Sequence, residues 1–188
     1  MSDGYKIVFI GAPGSGKTTC IASISDIDPV STDVPCTEDM LAEKDTITVA
    51  IDYGELQLDG DAGKLLLYGL PGQQRFSYMF DVVRFGLFGA ILLVDGSSDQ
   101  AIHGLSASLE GCRNELKDVP VVLAINKSGA SAQELKQQCA DVLCANELIA
   151  PVVVVDARRR EDVVYLFELL FILFEFGFDR LKSSEGQT

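Results

Sequence analysis

Short apolar runs alternate along the chain with segments whose apolar residues recur at helical spacing. Four of the runs, at residues 5–10, 88–95, 119–126 and 151–156, are almost continuously apolar, the exceptions being Lys6 and the last residues Asp95, Asn126 and Asp156. Continuous runs of this length are typical of strands that are buried on both faces of a parallel sheet. The helical segments lie between the runs, at 16–24, 76–84, 100–116, 131–144 and 161–178. This alternation predicts an α/β fold with a mainly parallel sheet.

Two further strands are predicted by a different pattern. Residues 46–58 alternate apolar and polar side chains, which indicates a strand that is exposed on one face. A turn rich in Gly and Asp at 59–63 leads into a strand at 64–68, and the two strands form a hairpin. The complete prediction is a mixed six-stranded sheet with one antiparallel strand at its edge.

The segment between the first helix and the hairpin has no clear period. Residues 26–45 are rich in Asp, Glu, Pro, Ser and Thr, which predicts a mobile acidic loop. Long loops inside a compact domain are usually functional. The chain of 188 residues has the length of one domain. We expect that domain to cover residues 1–181, followed by a polar tail at 182–188.

The last helical segment is more apolar than a single packed face requires. Residues 163–178 contain few polar side chains, yet this stretch is short for a membrane span. A narrow polar stripe contains Glu161, Glu168 and Glu175. Two interpretations stay open, namely deep packing between neighbouring helices and a surface for a homo-oligomer or a partner protein.

Charge and cysteine content narrow the expected partners and compartment. The net charge of −13 argues against nucleic acid and anionic membranes as direct partners, because each would be repelled. The five cysteines are odd in number and lack C-x-x-C spacing, which favours free thiols in a reducing compartment. Residues 1–10 do not read as a signal peptide, and neither end carries a lipidation motif. We expect a cytoplasmic protein without a membrane anchor.

A phosphate-binding motif follows the first apolar run directly. It reads Gly11-Ala12-Pro13-Gly14-Ser15-Gly16-Lys17-Thr18, and Thr19 continues the helix. Glycines let backbone N–H groups curve around a polyphosphate, Lys17 reaches the β- and γ-phosphates, and the Thr18 hydroxyl binds Mg²⁺. The helix N-terminus directs its positive dipole end at the same anion. We therefore predict a nucleoside-phosphate site at residues 11–19.

Further motifs follow this phosphate loop (P-loop) and the acidic segment along the chain. They are Thr48-Val49-Ala50-Ile51-Asp52-Tyr53, Pro71-Gly72-Gln73-Gln74-Arg75-Phe76 and Asn126-Lys127. The order of these motifs resembles that of the Ras-like small GTPases. In detail the chain looks most like the prokaryotic members related to mutual gliding protein A (MglA). The resemblance covers residues 5–178. It implies a Ras-like P-loop NTPase fold of three α/β/α layers, with GTP, GDP and Mg²⁺ as ligands.

The resemblance also implies roles for individual residues. Thr48 would close on Mg²⁺ and the γ-phosphate together with Thr18, and Thr46 is the rival position. The N–H of Gly72 would sense the γ-phosphate, and Gln73 would orient the attacking water. The residues that would frame the base are Asn126, Lys127 and the loop Asp156-Ala157-Arg158.

Two departures from the family pattern concern magnesium and catalysis. Gly69 stands where these proteins usually have an aspartate that holds Mg²⁺ through water, so we expect weaker Mg²⁺ binding. The chain has no arginine before Arg75, so an internal arginine finger from the first switch is missing. Such a finger is worth about 10³–10⁵ in rate. We expect slow GTP hydrolysis that depends on Lys17 and Gln73, with the extra positive charge supplied by Arg75 or by a partner.

A third departure concerns recognition of the base. Guanine is normally recognised by Asn-Lys-x-Asp, but here the run is Asn126-Lys127-Ser128-Gly129, and Gly129 has no acceptor side chain. The loss of a buried acceptor costs about 1–3 kcal/mol and most of the discrimination between bases. The resemblance favours guanine over adenine, and the residues themselves leave the base open.

Three functions are compatible with these motifs. The leading hypothesis is a nucleotide-dependent switch, in which the triphosphate orders the segments at 26–48 and 69–78 and hydrolysis releases them. The resemblance implies a roadblock-type partner protein that promotes hydrolysis. One alternative is a pseudo-GTPase with little turnover, which the missing acidic and arginine groups favour. The other is a small phosphotransferase, which the scarcity of arginines disfavours.

Overall fold

The structure is a computed structural model that describes residues 4–37, 46–58, 63–71, 83–129 and 132–185. The strands in these ranges are β1 (Tyr5–Gly11), β2 (Val30–Thr37), β3 (Thr46–Gln57), β4 (Lys64–Pro71), β5 (Leu87–Asp95), β6 (Val121–Asn126) and β7 (Val152–Val155). The helices in the same ranges are α1 (Lys17–Ile24), α2 (Ala101–Glu110), α3 (Arg113–Leu116), α4 (Ala132–Ala145) and α5 (Arg160–Glu185).

The described strands form one sheet in the order β2-β3-β4-β1-β5-β6-β7. Strands β4, β1, β5, β6 and β7 are parallel to one another, whereas β3 is antiparallel to both β2 and β4. The predicted α/β fold with a mixed sheet is confirmed, and each of the six predicted strands is present. The fold is that of a Ras-like P-loop NTPase.

Strand β2 corrects part of the loop prediction for residues 26–45. It pairs with β3 along its whole length, from Val30 opposite Tyr53 to Thr37 opposite Thr46. Consequently the hairpin strand β3 is not at the edge of the sheet, and β2 is. The sequence analysis missed this strand because its polar composition gives it a low β-strand propensity. Pairing with the long neighbouring strand β3 outweighs that low propensity. The remainder of that predicted loop, residues 38–45, lies outside the described residues.

The helix predictions differ from the structure at two places, and a third prediction is not tested. The segment at 100–116 forms two helices, α2 and α3, because the chain turns at Gly111 and Cys112. The last helix continues into the predicted tail, as far as Glu185. The predicted helix at 76–84 lies almost wholly outside the described residues. The boundary between a domain at 1–181 and a tail at 182–188 stays a prediction.

Apolar side chains cover both faces of the sheet. Val8 and Ile10 of β1 belong to the cluster that packs under α2 and α4, whereas Ile7 and Phe9 belong to the cluster under α1 and α5. This alternation follows the two-residue period of a strand. The helices therefore form a layer on each face, and the carboxyl ends of the parallel strands meet at one edge, where α/β proteins bind ligands.

Helix α5 has a buried face and an exposed apolar face. Val163, Leu166 and Leu170 are fully buried against the sheet, but Ile172 is 46% exposed and Phe176 is 68% exposed. The sheet thus covers one face of the helix, whereas the predicted deep packing between neighbouring helices does not cover Ile172 and Phe176 in the described part of the chain. Contact of the other face with a partner or a second copy stays a prediction. None of the helices in the described part of the chain is both long and apolar enough to cross a membrane.

The cysteines whose side chains are described are free thiols, as the sequence predicted. They are Cys20, Cys112, Cys139 and Cys144. Burial raises the pKa of Cys20 and of Cys112 to about 12, so both stay protonated at neutral pH. Cys20 and Cys112 therefore act as apolar core residues rather than as nucleophiles.

Candidate nucleotide-binding site

The segment between β1 and α1 has the backbone that a phosphate loop requires. Gly14 and Gly16 have φ angles of 79° and 109°, in the left-handed region that glycine adopts without strain. At Gly11, a Cβ would lie 2.3 Å from the carbonyl oxygen of Leu93, so only glycine fits against β5. The N–H of Ser15 donates to the carbonyl oxygen of Ala12 at 3.2 Å and closes the loop.

The N-terminus of α1 is open to an anion. Its N-cap residue is Gly16, which provides no capping side chain, and the first turn contains no acidic residue. The first N–H groups of a helix have no partner within the helix. Together with the positive end of the helix dipole, they suit a phosphate group.

Lys17 lies across the phosphate loop. Its Nζ atom donates to the carbonyl oxygens of Gly11 at 2.9 Å and Ala12 at 3.0 Å. Burial lowers the pKa of Lys17, and the negative charge of Asp52 partly opposes this effect. The ammonium group is therefore held over the loop in a partly desolvated position, where attraction to an anion is stronger than in water.

Asp52 is a site residue that the sequence analysis missed. It lies on β3, and its Oδ2 atom accepts a hydrogen bond of 2.5 Å from the Thr18 hydroxyl. In the sheet register Asp52 is opposite Gly69 on β4. A Cβ at Gly69 would lie 3.1 Å from Asp52 Oδ2. The carboxylate thus occupies the space beside Gly69 and reaches the hydroxyl predicted to bind Mg²⁺.

Asn126 connects the phosphate loop to the loop that follows β7. It is 4% exposed, its Nδ2 atom donates to the carbonyl oxygen of Ser15 at 2.9 Å, and its Oδ1 atom accepts from the N–H of Ala157 at 3.1 Å. A Cβ at Gly16 would lie 2.4 Å from the same Nδ2 atom, so Asn126 requires glycine there. Its amide satisfies two backbone groups that are far apart in sequence.

Substitution Asn126→Ala is expected to lower the free energy of unfolding by about 2–3 kcal/mol. The change leaves the Ser15 carbonyl and the Ala157 N–H without partners in a buried position. Urea unfolding at equilibrium measures the difference. The matched control is Asn146→Ala, which removes a side-chain hydrogen bond to the carbonyl oxygen of Val142 at a helix end and should cost about 1 kcal/mol or less. Equal losses for the two variants would contradict the role of Asn126 as a connector.

Lys127 forms a second link to the phosphate loop, beside the one that Asn126 forms. It has a positive φ of 55°, and its Nζ atom donates to the carbonyl oxygen of Gly14 at 2.7 Å and to Asp95 Oδ2 at 2.8 Å. Asp95 also accepts from the N–H and the hydroxyl of Ser97, which caps the turn after β5. The two hydrogen bonds of Lys127 Nζ hold the aliphatic part of the Lys127 side chain along a neighbouring cavity.

A cavity of about 600 Å³ adjoins the phosphate loop. The residues that line it come from α1, the end of β6 and the residues after it, β7 with the loop that follows, and the first turn of α5, namely Thr19, Asn126, Lys127, Ser128, Val154, Val155, Asp156, Ala157, Arg158 and Asp162. Its size is within the range of small-molecule sites. The structure therefore brings the predicted base-binding residues together beside the predicted phosphate loop.

Of the predicted switch residues, only those in β3 lie within the described part of the chain. Thr48 and its rival Thr46 belong to β3, with Thr48 opposite Pro35, but their side chains are not among those described. Gly72, Gln73 and Arg75 lie outside the described residues. Their roles in γ-phosphate sensing and hydrolysis stay predictions.

Comparison with known proteins gives two informative similarities. No model of a known protein family matches the chain. The chain is 31% identical over 131 residues to the uncharacterised protein MJ1339 of Methanocaldococcus jannaschii, a match that covers 67% of this chain and 71% of the archaeal one. It is also 30% identical over 114 residues to the Ras-related protein Rab-18 of Lymnaea stagnalis. That match covers 60% of this chain and 48% of the Rab protein, so it spans about half of that relative's length.

Proposed function

Because the chain belongs to the same family as MJ1339 and has a Ras-like P-loop fold, we propose that it is a small GTP-binding protein that acts as a nucleotide-dependent switch. The similarity to a Rab protein supports the general class. The observation that carries the proposal is the contact of Asn126 with both the phosphate loop and the loop of the base cavity. A nucleotide would lie along this connection, with its phosphates on residues 11–18 and its base in the cavity.

The phosphate end of the site suits a polyphosphate. Gly14 and Gly16 have left-handed φ angles, which let backbone N–H groups curve around an anion, and Lys17 adds a partly buried positive charge. Charge-assisted hydrogen bonds of this kind are the stronger class in proteins. GTP and GDP would therefore be held mainly by the loop, and the base would contribute selectivity.

The residues that would hold Mg²⁺ are Thr18 and Asp52, with Thr48 added from the first switch. When bound, the metal neutralises charge on the β- and γ-phosphates. Hydroxyl and carboxylate oxygens are the ligand atoms that Mg²⁺ prefers. The hydrogen bond between Thr18 and Asp52 brings two such groups together, and Asp52 supplies the carboxylate that Gly69 lacks. We propose this site in place of the weak one expected from the sequence.

Switching and hydrolysis would depend on residues from two segments beside this site. Thr48 and Gly72 would respond to the γ-phosphate, Gln73 would orient water, and Arg75 or a partner would supply positive charge. Hydrolysis without a partner would be slow, because no arginine precedes Arg75 in the sequence. A roadblock-type activating protein is the proposed partner, and the setting we propose is the cytoplasm.

A pseudo-GTPase that holds nucleotide with little turnover is the second candidate, and the same lack of an arginine before Arg75 favours it.

Nucleotide extraction from the purified protein, followed by competition of GTP against ATP at matched Mg²⁺, tests the proposal. We expect bound guanine nucleotide and a preference for GTP of about tenfold or more, which corresponds to one or two hydrogen bonds to the base. Single-turnover hydrolysis with and without partner then separates the switch from the pseudo-GTPase. A clear preference for ATP, or binding of neither nucleotide, would refute the proposal.

A further inference from the structure

The base cavity lacks an acceptor at the position where the Asn-Lys-x-Asp pattern places one. Gly129 is exposed, and a Cβ built on it would meet no atom within 4 Å. Gly129 is not among the residues that line the cavity, and the space around its Cβ position is open. A guanine in the cavity would find no side chain at position 129 to accept its N1–H and its 2-amino hydrogens.

The loop after β7 brings a carboxylate to the same cavity. Asp156 is the first residue after β7, and it lines the cavity beside Ala157 and Arg158. Two hydrogen bonds fix its backbone, since its own N–H donates to Asp162 Oδ2 at 2.8 Å and the next N–H, of Ala157, donates to Asn126 Oδ1 at 3.1 Å. The backbone on both sides of the Asp156 side chain is therefore held by hydrogen bonds.

We infer that Asp156 is the residue that selects guanine, by accepting the N1–H and 2-amino hydrogens that an aspartate at position 129 would otherwise accept. This inference rests on the proposed function, since it assigns the base end of the same nucleotide site. The acceptor has in effect moved from the loop after β6 to the loop after β7. Adenine has an acceptor at N1 instead of a donor, so the carboxylate would repel it.

The ionisation of Asp156 suits this role. Hydrogen bonds from the Arg158 side chain and backbone hold the pKa of Asp156 at about 2, so the group is a carboxylate at neutral pH. An ionised carboxylate only accepts hydrogen bonds. It therefore discriminates between a base edge that donates and one that accepts.

Arg158 positions the Asp156 carboxylate without using all of its hydrogen-bond acceptor positions. Asp156 Oδ1 accepts from the Arg158 N–H at 3.0 Å and from its Nε atom at 2.8 Å, and Oδ2 accepts from Nη2 at 2.6 Å. A carboxylate has about four acceptor positions, so one remains for a base while the pair is intact. The Arg158 side chain is 81% exposed. Exposed ion pairs are weak, so the guanidinium can turn aside and release further positions.

The test compares three triphosphates that differ at position 2 of a purine with a 6-oxo group. GTP has an amino group there, ITP has hydrogen, and XTP has a carbonyl oxygen. For the wild-type protein we expect GTP to bind about tenfold more tightly than ITP, the cost of one lost hydrogen bond, and more tightly still than XTP. Competition against a fluorescent guanine nucleotide at fixed Mg²⁺ gives the dissociation constants.

The variant Asp156→Asn should invert the order of GTP and XTP, because a carboxamide N–H can donate to the carbonyl oxygen at position 2. Affinity for GTP should fall by about tenfold or more, and affinity for XTP should rise. Adding Gly129→Asp to this variant should restore the preference for GTP, since the space at position 129 is open. Asp118→Asn, which changes an exposed carboxylate remote from the cavity residues, is the matched control and should leave the order unchanged.

The possible results separate this inference from the proposed function. If Asp156→Asn weakens all three nucleotides by the same factor, Asp156 is a structural residue and the inference is wrong. If the wild-type protein binds GTP, ITP and XTP equally, the phosphate site stands but Asp156 does not read the base. If it binds none of them, the proposed function itself fails. Inversion by Asp156→Asn and recovery with Gly129→Asp would support the inference even if the variants lose some stability, because ratios of affinities within one variant are compared.

Discussion

Replacing Lys17 with alanine is expected to lower the affinity for GTP and GDP by about 100-fold or more. The ammonium group lies over the phosphate loop, bonded to the carbonyl oxygens of Gly11 and Ala12. Hydrogen bonds to charged groups contribute about 1.5–3 kcal/mol each, and a lysine at this point would reach two phosphates. Isothermal titration with GDP measures the loss directly.

The control for Lys17→Ala is Lys117→Ala, which removes the same charge from an exposed pair with Glu147 outside the site. It should leave nucleotide affinity within about twofold of the wild type. Folding should survive in the Lys17 variant, because burial already disfavours the charged lysine, as its lowered pKa indicates. Retention of wild-type GDP affinity in a folded Lys17→Ala protein would refute the phosphate loop as the binding site.

Substitution Asp52→Ala is expected to remove most of the Mg²⁺ dependence of nucleotide binding. In the wild-type protein, Mg²⁺ should strengthen GTP binding, because Thr18 and Asp52 hold the metal beside the phosphates. Without the carboxylate, that gain should fall by about tenfold or more, the cost of one charged ligand. In excess chelator the variant should bind GTP at least as well as wild type, because a negative charge has left the site. Titration of the GTP dissociation constant against free Mg²⁺ distinguishes these effects.

A double variant that moves the carboxylate from position 52 to position 69 makes the Asp52 test more specific. Gly69→Asp alone would bring a second carboxylate against Asp52, since a Cβ there already lies 3.0 Å from the Asp52 Cβ. The double variant Asp52→Gly with Gly69→Asp moves the carboxylate to the paired position on β4 without this conflict. It should recover a substantial part of the Mg²⁺ dependence. Full Mg²⁺ dependence in Asp52→Ala would show that the metal does not use this carboxylate.

The parts of the fold and site that the sequence predicted are those encoded locally. The phosphate loop depends on glycines within eight consecutive residues, and their left-handed φ angles at Gly14 and Gly16 follow from that composition. The buried strands β5 and β6 were predicted because continuous apolar runs need no knowledge of their neighbours. Asn126 was predicted as a base residue by its motif, but its contact with Ser15 is visible only in three dimensions.

The features that the sequence did not predict depend on pairing between distant segments. Asp52 falls on the polar side of an alternating strand, where a carboxylate normally faces solvent. Only the register of β3 against β4 places it beside Gly69 and Thr18. The absence of an aspartate at position 69 was a signal to search the adjacent strand for a replacement. Strand β2 was missed for the same reason, because its formation depends on β3 rather than on its own composition.

The place of Pro35 in β2 has a consequence for association between molecules. β2 is the outermost strand of the described sheet, so its outer row of backbone groups is a template for a strand from another chain. Proline has no N–H donor, and an edge strand accepts it where the nitrogen faces away from the paired neighbour. Pro35 therefore interrupts that row and makes uncontrolled edge-to-edge aggregation less favourable at the open side of the sheet.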